Sequence, residues 1–259
     1  MAEPQMPSWP GGCFVGSDSR IMMMGSCFST EVGSRLLADG YHVVLNPFGI
    51  LFNPASIASS IVRLENGTPF TEGDVIEREG SFVSFFHHGS FRRATPDEFL
   101  DNANASLARS MEDFNNADTV ILTFGTAWVF RHLERDIIVS NCHKVPAREF
   151  RRERLSVQDM VGMISPIVAR HTDKHWIFTV SPIRHMADGA HGNQLSKSTL
   201  LLAIDEVCRR HPDVTAYFPA FEMMVDELRD YSWYNTANLT HPSEEAVDEI
   251  YRRFTEKSR

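Results

Sequence analysis

The sequence predicts an α/β fold: one domain on a mostly parallel five-stranded sheet with helices on both faces. Three observations carry this. Short strand-like runs alternate with helix-like segments along the chain. Several of those runs are almost continuously apolar, as parallel strands covered on both faces are. The chain has 259 residues, 42% hydrophobic and 23% charged, which suits one large domain with a sizeable core.

The first strand is Arg20 to Met24, four bulky apolar residues behind Arg20 that run into Gly25. A helix from Ser29 to Asp39 follows and ends at Gly40, a residue suited to the position beyond a helix end. Tyr41 to Leu45 is the second strand, and Ser56 to Glu65, behind Pro54, the second helix. Asp97 to Met111 starts after Pro96, and Thr119 to Phe124 is the third strand. Ser156 to His171 carries Val157, Met160, Val161, Ile164 and Val168 at helical spacing. Trp176 to Val180 is the fourth strand, Gln194 to Arg210 the next helix, and Val214 to Phe218 the fifth strand. The final helix, "HPSEEAVDEIYRRF", sets Ala246, Val247, Ile250 and Phe254 on one face. Two stretches break the alternation, "VIEREGSFVSFFHHGSF" and "WVFRHLERDIIVSNCHK". They read as hairpin-forming insertions, at about 66–95 and 128–150, in a single domain over 20–259 behind an extension over 1–19.

Composition narrows the function classes. The net charge is −9 and no lysine/arginine run occurs, so a nucleic-acid partner is not expected. The N-terminal stretch lacks a charged region followed by an apolar one, so no signal peptide is expected. No apolar run approaches the length that spans a bilayer. Cys13, Cys27, Cys142 and Cys208 lie far apart without paired spacing. That pattern fits a reduced, cytoplasmic setting rather than a disulfide framework. His87, His88 and His143 invite a metal, but no paired-histidine motif supports one, and neither metal nor cofactor is expected. Oligomeric state is left open.

In a parallel α/β sheet, ligands bind beyond the carboxyl ends of the strands. After the first strand stand Ser26 and Cys27, at a turn into a helix. Helix-start N–H groups hold anions and lower a thiol pKa, so Cys27 reads as a reactive thiolate. It reads equally as a small buried hydrophobe with Ser26 capping the helix. After the second strand comes "NPFGILFNP", with Gly49 for a tight turn and Asn46 and Asn53 as candidate donors. Gly125 and Thr126 follow the third strand. "SPIRHMADGAHGNQLSK" follows the fourth, with Arg184 suited to a carboxylate or phosphate and His185 to proton transfer. Both could also simply bond to nearby backbone. His241 precedes Pro242 at the entrance of the last helix, where histidine is not a preferred cap, which favours a functional role. A phosphate-linked ligand at the first helix start lacks any glycine-rich phosphate motif.

Together "GSCFS", "NPFGILFNP", "FGTAWVF", "NCHKVP", "FTVSPIRH" with "NQLSKSTLLLAI", "YFPAFEMMVDELRDY" and "LTHPSEEAVDEIYRRF" resemble the GSCFA family over about residues 20 to 254. The namesake motif reads Gly25-Ser26-Cys27-Phe28-Ser29, with serine for the final alanine. The pattern is in turn similar to the SGNH/GDSL hydrolases, esterases and acyl hydrolases with a flavodoxin-like, three-layer α/β/α fold. That resemblance implies Cys27 at the nucleophile and Ser26 at the neighbouring aspartate position, with the reverse assignment open. It implies Gly49 as an oxyanion donor, and Asn238 and His241 as orienter and base. Two departures stand out: Ala127 replaces an asparagine donor, and Asn238 replaces an aspartate. Backbone N–H groups of Cys27 and Gly49 would then hold the oxyanion, helped by Asn46, Asn53 or Thr126, while Arg184 and His185 read the substrate. A cysteine tolerates asparagine as orienter, because a thiolate–imidazolium pair forms readily. The implied activity is hydrolysis or transfer of a small or glycan-linked acyl group. The rival expectation is a binding module that has kept the fold and lost the chemistry.

Overall fold

A computed structural model describes residues 6, 9 and 14–256 of the chain. Five parallel strands form the central sheet: β1 (Arg20–Gly25), β2 (His42–Leu45), β5 (Thr119–Phe124), β9 (His175–Val180) and β10 (Thr215–Phe218). Their spatial order is β2-β1-β5-β9-β10. Counted within the sheet this is 2-1-3-4-5, the doubly wound flavodoxin-like order. Register puts Gly25 beside Thr123 and Phe124 beside Val180, so the carboxyl ends of the three middle strands line up.

Alternation along the strands sorts the core. Met22, Met24, Val120, Leu122, Phe178 and Val180 face one side. There they meet α2 (Pro54–Asn66), α3 (Pro96–Asn116), α4 (Val157–Arg170) and α5 (Gly189–Arg210). Ile21, Met23, Ile121 and Ile177 face the other side. They meet α1 (Cys27–Ala38) and α7 (Glu244–Thr255). The short α6 (Ala220–Glu222), continued by a π-turn over Met223–Glu227, joins this second layer. Burial on both faces explains why these strands are so uniformly apolar. Trp9 belongs to this layer as well, stacking on Phe254 at 5.3 Å and donating to its carbonyl at 3.0 Å.

The helix starts follow from their caps. Asn53 Oδ1 accepts from Ser56 N–H ahead of α2, and Thr95 Oγ1 from Glu98 N–H ahead of α3, each with proline in the first turn. Ser156 and Asp159 form a reciprocal capping box on α4.

The insertions differ from each other. The first is the expected hairpin, β3 (Ile76–Arg78) with β4 (Ser81–Val83). The second is a three-stranded antiparallel sheet: β6 (Trp128–His132) lies between β7 (Ile137–Val139) and β8 (Phe150–Arg154). Its third strand extends past the expected segment because "FRRER" is polar and lacks the apolar alternation of an ordinary strand. The two insertions dock together. Ser140 N–H donates to the Phe85 carbonyl at 2.7 Å, and His143 Nε2 lies 2.8 Å from the Ser84 carbonyl. The first also rests on the β2–α2 turn, where His88 N–H donates to the Phe48 carbonyl at 3.0 Å.

Candidate active site

The site begins where the strand order reverses, between β1 and β5, the usual place for ligands in such sheets. Gly25 ends β1 with φ +152, and a Cβ there would lie 2.3 Å from the Thr123 carbonyl oxygen. Glycine is what lets the two strand ends approach this closely. Gly25 N–H donates to Asn46 Oδ1 at 2.9 Å, and Leu51 N–H donates to the Gly25 carbonyl at 2.9 Å. Ser26 N–H donates to the Thr123 carbonyl at 3.1 Å. The turn is therefore tied to both neighbouring loops.

Ser26 occupies the N-cap of α1 but makes no side-chain cap bond; its Oγ is buried and has no partner. Cys27 is the first residue of the helix and is half-buried. It lines an open cleft of about 390 Å³ together with Glu31, Asn238 and His241, among others. Burial raises the Cys27 thiol above its usual pKa of 9.0. The backbone N–H groups of Cys27 and Phe28 pull the other way, as does the charge of Lys197, while Glu31 adds to the rise. At neutral pH the resting group is a thiol.

His241 reaches the same cleft from the loop before α7. Asn238 builds that loop. Its Oδ1 accepts from the N–H of Thr240 at 2.9 Å and of His241 at 3.0 Å. The same oxygen lies 3.3 Å from His241 Nδ1, and Thr240 Oγ1 lies 3.1 Å from it. An amide oxygen only accepts, so this pairing favours the tautomer with the proton on Nδ1 and a lone pair on Nε2.

The other expected residues lie around this pair in different roles. Asn46 is held at φ +47, with its Oδ1 on Gly25 N–H and its Nδ2 donating to Thr30 Oγ1 at 3.1 Å. Asn53 is buried and caps α2. Gly49 N–H donates to the Asn46 carbonyl at 2.7 Å, and a Cβ on Gly49 would lie 2.4 Å from His88 Cβ. Gly125 and Thr126 N–H both donate to the Phe52 carbonyl, at 2.8 and 3.1 Å. In this resting structure those three N–H groups are engaged within the protein. Arg184 N–H donates to the Thr240 carbonyl at 3.0 Å, and its guanidinium lies 4.7 Å from the Tyr234 ring. Arg184 thus braces the His241 loop. His185 Nε2 is buried without a partner, and burial, then the charges of Lys197 and His241, lower the ring to about 4.

Lys197, one of the polar residues of the segment after the fourth strand, was not read from the sequence as a site residue. Lys197 has 0% exposure, and its Nζ donates to the carbonyls of Gly125 at 2.8 Å and Ser181 at 2.7 Å. The signal was present: Asn193, Lys197, Leu200, Ile204 and Val207 form a buried stripe on α5 at helical spacing. A lysine on an apolar stripe is the anomaly to notice. Among the described residues, no group of three or more His, Cys, Asp or Glu could hold a metal ion. Nor is any helix among them long and apolar enough to cross a membrane.

Residues 20–254 match the GSCFA family. The chain belongs to the GSCFA family. Structures similar to this GSCFA chain include a variant of an acetyl-xylooligosaccharide esterase from Geobacillus, with a TM-score of 0.46 and 10% identity, covering 95% of this chain and 98% of that one. A catalytic mutant of an acetylxylan esterase from Geobacillus stearothermophilus has the same TM-score of 0.46, identity of 10% and coverage of 95% and 98%. No curated protein matches the chain.

Proposed function

We propose that this GSCFA protein is an acyl-transfer enzyme, an ester or thioester hydrolase or O-acyltransferase, with Cys27 as nucleophile. The observation that carries this is one cleft lined by Cys27, Asn238 and His241, with Asn238 Oδ1 on the Nδ1 side of the imidazole. That supports a nucleophile–base–orienter reading for covalent acyl transfer. Ser26 is the weaker candidate, because its Oγ is buried and it does not line the cleft.

His241 Nε2 takes the proton from the Cys27 thiol as sulfur attacks the acyl carbon. The raised thiol pKa makes this base necessary, since little thiolate exists at rest. The carbonyl electron pair moves to oxygen, which the N–H groups at the start of α1 stabilise. The pair returns as the leaving group departs with the proton from His241. Water or another acceptor then releases the acyl group by the reverse route. Ser26 shapes the turn, and Asn46 and Asn53 hold the two loops that flank it. The cleft lining includes Glu31 and Glu244 and no lysine or arginine among the described residues. That supports an uncharged acyl group on a small or glycan-linked acceptor rather than a polyanionic carrier.

Short-chain p-nitrophenyl esters and matching thioesters test the reading. Cys27→Ala is expected to lower kcat/KM by about 1,000-fold or more while the protein keeps its circular-dichroism spectrum. A folded Cys27→Ala protein with undiminished turnover would overturn the assignment.

A further inference from the structure

The two insertions close over α2 around a small cavity. α2 packs on the face of the sheet opposite α1 and α7, and the cavity shares no lining residue with the cleft that holds Cys27. Its volume is about 10 Å³, room for one ion or molecule about the size of water. α2 turns Ser56, Ser59, Ser60 and Arg63 toward it, three to four residues apart on one helical face. Ser140, just past β7, closes it from the second insertion.

The polar groups here are donors short of acceptors. Ser56 Oγ accepts from Asn53 Nδ2 at 3.0 Å. Ser60 is only 6% exposed, and its hydroxyl has no hydrogen-bond partner among the described residues. It does not bond to the carbonyl one turn back, the usual recourse of a helical serine turned away from water. The Arg63 guanidinium lies over the Phe70 ring at 3.9 Å and near the Phe86 ring at 5.1 Å. Its Nη1 donates to the carbonyls of Thr68 and Pro69 at 3.3 and 3.4 Å. A guanidinium carries five N–H donors, so the Nε and Nη2 edge is left over. No carboxylate forms an ion pair with it among the described residues.

The charges around this corner are mostly positive. Burial lowers Arg63, and the charge of Asp74 offsets part of that. On the Phe70 ring, His87 packs at 4.4 Å, and the charge of Arg63 helps to keep it neutral. The cavity lining itself holds one guanidinium, several hydroxyls and no carboxylate.

We propose that this cavity binds one small monovalent anion, of about the size of chloride, between the free edge of Arg63 and the hydroxyls of Ser60 and Ser140. A cation would meet a guanidinium with no carboxylate beside it. A water would satisfy the hydroxyls and leave the charge of Arg63 unbalanced. The volume excludes larger oxyanions. The bound ion joins α2 to the second insertion, so it supports the docking of the insertions and stands apart from the chemistry at Cys27.

The test is 35Cl NMR of the full chain titrated with chloride, in wild type, Ser60→Ala and Arg63→Gln. Wild type is expected to give an excess line width that falls as the site saturates, and both variants are expected to lose most of it. Replacing gluconate by chloride at constant ionic strength should also raise the wild-type Tm by about 2 °C, and by less in both variants. No saturable excess in wild type would overturn the site. The full excess in Ser60→Ala would overturn it too, because the ion would then sit on the exposed edge of Arg63 outside the cavity. If Arg63→Gln does not fold, Ser60→Ala decides alone, since it removes one buried hydroxyl and leaves the stacked guanidinium in place.

Discussion

Asn238 favours the tautomer of His241 with the proton on Nδ1, and its amide does so without adding charge. An aspartate in its place would put a negative charge beside the ring and favour the imidazolium. Asn238→Asp keeps the acceptor that ties Thr240 and His241 into the loop. The expected outcome is an intact fold and a kcat/KM–pH profile whose acid limb moves to higher pH by about one unit or less. In the proposed mechanism the base is the neutral ring, which sets the sign. An unmoved limb would mean that His241 is not the base. At this scale the placing of Cys27 and His241 on one cleft was legible, because each stands at a helix entrance after a strand or loop rich in polar groups. Lys197 was not used, although it falls in the expected helix Gln194 to Arg210, because it was read with the polar residues after the fourth strand and not placed on the helix's buried face. The positions of Gly49, Gly125 and Thr126 were legible, but the direction of their N–H groups was not. The Asn46 and Phe52 carbonyls that accept them are set by tertiary packing.

At the scale of elements, the turn between β1 and α1 is what the rest of the site depends on. Gly25→Ala would push a Cβ against the Thr123 backbone and side chain, at 2.3 and 2.8 Å. It is expected to cost about 3 kcal/mol in chemical denaturation, as overpacking does, and to reduce Cys27-dependent turnover together with stability. Gly40→Ala provides the contrast. Gly40 also has positive φ, at +88, but nothing lies within 4 Å of its Cβ position. It should cost only about 1 kcal/mol of backbone strain and leave turnover intact. The strands were readable because burial on both faces made them continuously apolar. The start of α1 was read two residues late: the pattern begins at Ser29, whereas the helix begins at Cys27. That shift matters, since it makes Cys27 the first helical residue and gives it two backbone N–H groups. The π-turn at Met223–Glu227 packs its Met223 and Met224 in one core cluster with Phe218 and Ala220, and no local sequence signal marked it.

Over the whole molecule, buried histidines are expected to set the acid limit of stability. His87 is 1% exposed among the rings of Phe48, Phe70, Phe91 and Phe99, with neither ring nitrogen bonded. Burial, with the charges of Arg63 and His143, lowers it from 6.5 to about 3. The unfolded chain protonates below 6.5 and the folded one only near 3, so stability is full above that upper value and is lost as pH falls through the window. Between pH 7 and pH 5 this histidine should account for about 2 kcal/mol. Urea denaturation at both pH values should show that loss in wild type and a shallower one in His87→Phe. His185, lowered to about 4, leaves a residual slope in the variant. Equal slopes would place the acid sensitivity elsewhere. The five-stranded order and its covering layers were legible from the alternation of elements. The docking of the two insertions on each other was not, since it rests on single backbone bonds such as Ser140 to Phe85.

The central claim is that Cys27 attacks an acyl carbon with His241 as its base. The most direct measurement is peptide-mapped mass spectrometry of the full-length protein after rapid mixing with p-nitrophenyl acetate, in wild type, Cys27→Ala and His241→Ala. The account predicts an acetyl group on Cys27 that forms within the burst of p-nitrophenol, forms far more slowly in His241→Ala, and has no counterpart in Cys27→Ala. An acetyl group on Ser26, or an adduct on Cys27 that forms at the same rate without His241, would contradict it.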